Sequence, residues 1–128
     1  MEIPEHNNVY GRLECVGRIE ELTELVRNHL ALTASDIWLK KSHFDGAETI
    51  VIRSNNADFN AYTGKADGEL LFNGAVAGND QEVQKFVQEL HRALKTAGFR
   101  PRFEIYGEDK NCLAQFDPES ETKVDAAR

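Results

Sequence analysis

No run of about 18 or more apolar residues occurs in this 128-residue chain, so no segment reads as a membrane span. The opening Met1-Glu2-Ile3-Pro4-Glu5-His6 lacks the basic region and apolar core of a secretory leader, and the expected compartment is the cytoplasm. Positive charge is scarce: 15 Lys and Arg stand against 22 Asp and Glu, a formal net charge of −7. Phosphate-backbone binding needs clustered Lys and Arg that release counterions. No such cluster shows as a run, so direct nucleic-acid binding is not expected. Cysteine is limited to Cys15 and Cys112, far apart in sequence. Neither has a flanking His or a second nearby Cys, so both are expected as reduced, buried thiols. A single disulfide or a reactive thiol are the other readings.

Motifs that carry chemistry are also missing. There is no Gly-x-x-x-x-Gly-Lys-Ser/Thr, no Gly-x-Gly-x-x-Gly and no Gly-x-Ser-x-Gly. Gly64, Gly68, Gly74 and Gly78 therefore read as turn and strand-kink glycines. His6, His29, His43 and His91 form no metal-ligand spacing, and His29 and His91 fall on amphipathic helices as boundary residues. Glu20 and Glu24 share a helix face and Glu108-Asp109 share a turn, but nothing apolar surrounds either pair to raise a carboxyl pKa. No catalytic residue, metal or cofactor is expected.

What is present is a legible architecture. Asn79 and Glu82 form a capping-box pair, and Val83, Phe86, Val87, Leu90, Leu94 and Ala97 follow on one helical stripe. Gly98 supplies the helix stop, Pro101 forbids continuation, and residues 102–106 alternate as a strand. Upstream, a first strand interrupted by Gly11 leads to a helix carrying Ile19, Leu22, Leu25, Val26 and Leu30. A strand over 36–44, the hairpin signal Asp45-Gly46 and a β-branched strand over 49–52 come next. Residues 58–63 read as a short edge strand, 69–77 as another strand and 112–116 as the last.

Each half thus spells strand, helix and strands, a pseudo-repeat of βαββ. The expected fold is an α+β two-layer sandwich: a largely antiparallel sheet with two helices on one face and a ferredoxin-like arrangement as its nearest relative. One domain over 1–117 and a disordered tail over 118–128 complete the expectation. Tandem βαββ-like units are similar in outline to the modules of vicinal-oxygen-chelate enzymes, which have a further strand and bind metal through His and Glu. The second-half strands, 69–77 and 101–116, contain no His, so no site is carried over.

Function then rests on surface recognition. If helices cover one sheet face, strand alternation leaves aromatics on the other, and Trp38, Phe44, Phe59 and Tyr62 are the candidate partner-binding residues. The acidic balance favours a basic partner protein, as for an inhibitor or immunity-type binder. The alternative is a small-ligand sensor or enzyme with a pocket between sheet and helices or at a homodimer interface, for which His43, Arg53, Thr63 and Lys65 are the candidate polar groups. A plain homodimer through sheet edges or faces is the third reading.

Overall fold

The structure is a computed structural model and describes residues 2–64 and 68–119. It is a small α+β domain with a seven-stranded antiparallel sheet and two helices. Chain order is β1 (Val9–Glu14), α1 (Ile19–His29), β2 (Ile37–Lys41), β3 (Glu48–Arg53), β4 (Ala57–Thr63), β5 (Glu69–Val76), α2 (Asp80–Thr96), β6 (Arg102–Tyr106) and β7 (Cys112–Phe116). In space the strands run β2-β3-β4-β5-β1-β6-β7.

Register makes the two faces readable. Ile37, Ile52, Phe59, Gly74, Val9, Ile105 and Ala114 are successive cross-strand partners and form one row across the sheet. Leu39, Ile50, Ala61, Phe72, Gly11, Phe103 and Phe116 form the next on the same face. Residues of these rows join Leu22 and Val26 of α1 and Val83, Val87, Leu90 and Leu94 of α2 in one hydrophobic cluster. Burying these side chains is the main favourable term in folding.

Helix α2 starts and stops for local reasons. The Asn79 side chain accepts from the Glu82 amide at 2.8 Å while Glu82 Oε1 accepts from the Asn79 amide at 2.8 Å, a complete capping box. At the other end Gly98 takes φ +88°, and its amide and that of Phe99 close on Lys95 and Leu94 carbonyls. Phe99 folds into the core, fully buried, and the Arg18 guanidinium lies 4.1 Å over its ring. Arg18 Nη2 also donates to the Ala97 carbonyl at 2.8 Å, so the residue that opens α1 caps the end of α2.

Several expectations change. The segment at 57–63 is no edge strand: β4 lies between β3 and β5, with Ala57, Phe59 and Ala61 all buried. A stretch rich in Asn, Asp and Ala reads as irregular when counted for hydrophobicity, yet its strict alternation satisfies an interior strand with one wet face. Gly11 does not interrupt β1, and Gly74 does not kink β5. A Cβ at Gly11 would stand 2.6 Å from Phe103 Cδ1 and one at Gly74 2.6 Å from Phe59 Cγ, so both glycines leave room for core aromatics. β2 ends at Lys41 rather than at 44, because Ser42 Oγ accepts the Phe44 amide and Asp45 Oδ1 the Ala47 amide, which turns the chain. The cysteines are free but not buried: Cys15 is half-buried just past β1 and Cys112 is exposed on edge strand β7. Pro118 and Glu119 form a turn, and residues 120–128 of the expected tail lie outside the described residues.

The element orders β1-α1-β2-β3 and β5-α2-β6-β7 match, with β4 between them. Their placements differ. β5 and β6 flank β1, whereas β1 and β2 have β5, β4 and β3 between them. No helix among the described residues is long and apolar enough to cross a membrane.

Candidate functional site

The face opposite the hydrophobic cluster carries the exposed aromatics. One row across it reads Trp38, Val51, Asn60, Asn73, Tyr10 and Glu104. Its neighbour reads Lys40, Thr49, Tyr62, Leu71, Arg12 and Arg102. Trp38 and Tyr10 are each 42% exposed and Tyr62 is 38% exposed.

Polar side chains hold this face in shape. Asn73 Oδ1 accepts the Gly11 amide at 3.1 Å and its Nδ2 donates to the Tyr62 hydroxyl at 2.9 Å. Tyr10 and Tyr106 meet edge to face, centroids 5.6 Å apart, and Tyr106 donates its hydroxyl proton to Glu104 at 3.0 Å. That bond to a carboxylate raises the Tyr106 pKa above its ordinary value. Arg12 pairs with Glu69 at 2.9 Å and Arg102 with Asp117 at 3.4 Å.

The sequence candidates part company here. Trp38 and Tyr62 share the exposed face, two strands apart. Phe44 belongs to the turn after β2 and stands fully exposed. Phe59 does not join them: it is 1% exposed on the buried face, tilted against Phe72 at 5.0 Å and stacked with Phe86 at 6.3 Å. Odd and even positions of β4 face opposite ways, so Phe59 and Tyr62 could never have shared a surface. Of the ligand candidates, Arg53 is on the exposed face, and His43 lies in the turn at the other end of the β2–β3 hairpin. Thr63 closes β4 on the register of the buried face, paired with Leu70. Lys65 lies outside the described residues. His43, Arg53 and Thr63 therefore do not converge.

No family model, curated protein or solved structure matches the chain.

Two groups that sequence reasoning missed shape the molecule. His91 is no boundary residue: it is fully buried, and its Nε2 lies 3.1 Å from the Pro101 carbonyl and 2.8 Å from the Asp117 carbonyl. Both partners are acceptors, so Nε2 carries the proton, and Nδ1 is buried with no hydrogen-bond partner among the described residues. Burial lowers the His91 pKa, against an opposing pull from those carbonyl bonds. Asn8 extends β1 by one step, its side-chain amide bonding both the N–H and the C=O of Val76 at 2.9 and 3.0 Å. Neither role leaves a signal in local sequence, because the partners are 10 to 68 residues away. Among the described residues no three His, Cys, Asp or Glu side chains gather to hold a metal ion.

Proposed function

We propose that this chain is a non-catalytic interaction module that binds a partner protein across its exposed sheet face. The observation that carries the reading is the registered placement of Trp38, Tyr62 and Tyr10, each partly exposed, on one side of the sheet. Rigid aromatics supply contact area at low entropic cost and recur as binding hot spots. The net charge of −7 supports a basic partner, steered by the protein's own field, in the manner of an inhibitor or immunity-type binder. The free thiols Cys15 and Cys112 accord with a reducing, cytoplasmic setting.

The reading takes the architecture as a two-layer sandwich with a ferredoxin-like arrangement as its relative. The crossover β5-α2-β6 around β1 supports that likeness, and the wider β1-α1-β2 crossover departs from it. The test is a partner recovered from the native host and measured against variants. Trp38→Ala and Tyr62→Ala are each expected to weaken binding by at least about 2 kcal/mol, while folding stability falls by less than about 1.5 kcal/mol. Unchanged affinity in both variants, or a stability loss that matches the affinity loss, would sink the reading.

A further inference from the structure

The cations of the exposed face are of two kinds. Arg12 and Arg102 are neutralised by Glu69 and Asp117. Lys40 and Arg53 have no ion-pair partner among the described residues, and both line the same depression as Trp38. Lys40 follows Trp38 on the same face of β2, and Arg53 is the diagonal cross-strand neighbour of Trp38 on the other side. The indole thus has a cation on either flank.

Arg53 is held in place by neutral groups. Its Nη1 donates to the Ile52 carbonyl at 2.8 Å and the Phe59 carbonyl at 3.1 Å, and its Nη2 donates to Asn60 Oδ1 at 3.3 Å. Asp58 stands directly opposite on β4, yet the guanidinium bonds Asn60, two residues along, and makes no ion pair with Asp58. The guanidinium is oriented by three hydrogen bonds before a ligand arrives, and among the described residues its charge is not offset by a bonded carboxylate and its Nε–H and one Nη2 hydrogen remain to donate. Pre-ordering of this kind removes part of the entropic penalty of binding, and a guanidinium fork suits a carboxylate or phosphate. Val51 and Thr49 also line the depression, which is open to solvent and offers about 590 Å³ of space. That volume is in the range of small-molecule sites. Asp45 lines the far, turn-side rim, where its carboxylate is engaged by the Ala47 amide at 3.0 Å.

We propose that this depression binds a small planar aromatic anion, its ring stacked on Trp38 and its phosphate or carboxylate held by Arg53, with the Lys40 ammonium on the opposite flank adding to the local positive field. The site occupies one end of the face assigned to the partner protein but does not depend on that assignment.

Trp38 is the only tryptophan in the sequence, so its emission reports occupancy of the site. The probes are adenosine monophosphate for the phosphate source, nicotinate for the carboxylate source, and adenosine and inorganic phosphate as halves. At least one of the two ring-bearing anions is expected to quench Trp38 saturably, with each half about tenfold weaker or more, as loss of a charge-assisted bond or a stacked ring implies. Arg53→Ala is expected to weaken binding about tenfold or more and Arg53→Lys less. Lys40→Gln, which removes no hydrogen bond or ion pair among the described residues, is a second variant expected to weaken binding. Glu89→Gln, at an exposed position of α2 outside the depression, is expected to leave ligand affinity unchanged. The proposal is overturned by the absence of saturable quenching with both anions, by phosphate alone binding as tightly as either, or by quenching equal in Arg53→Ala and the parent. Tighter binding of a single-stranded oligonucleotide than of the mononucleotide would likewise overturn it in favour of nucleic acid.

Discussion

His91 is where one side chain most visibly couples solution conditions to structure. It ties α2 to the start of β6 and to the residue after β7 through one N–H shared between two carbonyls. Protonation would place a second N–H at Nδ1, where no acceptor waits. An unfolded-chain imidazole titrates near about pH 6.5, and burial lowers the folded value below its ordinary one, with Lys95 acting in the same sense and Asp117 against it. As pH falls the unfolded state takes up the proton first, so the stabilisation is complete above about pH 6.5 and is lost as pH drops through that value. Denaturant melts between pH 7 and 5 should show stability falling by up to about 1.4 kcal/mol per unit. His91→Phe should flatten that slope and, by removing the two buried Nε2 hydrogen bonds, lower stability at pH 7 by about 1–3 kcal/mol. An unchanged slope in the variant would assign the pH response to other groups.

Elements show where local chemistry was sufficient. The start of α2 is written in four residues, and Asn79→Ala should reduce stability by about 1 kcal/mol, read as a shifted denaturation midpoint at constant slope. Strand β1 shows the opposite case. Gly11 looks like a break when the chain is read alone, but it faces Phe72 and Phe103 on neighbouring strands. Gly11→Ala should therefore be destabilising by about 1–3 kcal/mol through overpacking rather than stabilising as a strand-propensity argument predicts. A neutral or raised melting temperature would show that the ring of Phe103 moves aside freely. β4 was legible as a short strand but not as an interior one, because local composition does not report how many neighbours a strand has.

For the molecule as a whole, the central pairings join distant parts of the chain: Val9 opposite Gly74 on one side and Ile105 on the other. Closing such loops before their contacts form is slow, so refolding monitored through Trp38 should fall in the millisecond-to-second range of high-contact-order domains, about 1–1000 s⁻¹ at 25 °C. A microsecond phase carrying the full amplitude would contradict the topology. Composition and periodicity were enough to determine two amphipathic helices, the caps of α2, most of the strands and the acidic balance, because each depends on residues within a few positions of one another. The strand order, the interior place of β4, the burial of His91 and Phe59, and the meeting of Trp38, Lys40, Arg53 and Asn60 were decided only when the sheet closed. Side chains that share a face through cross-strand register carry no mark of that proximity along the chain, and long-range pairing alone brings them together.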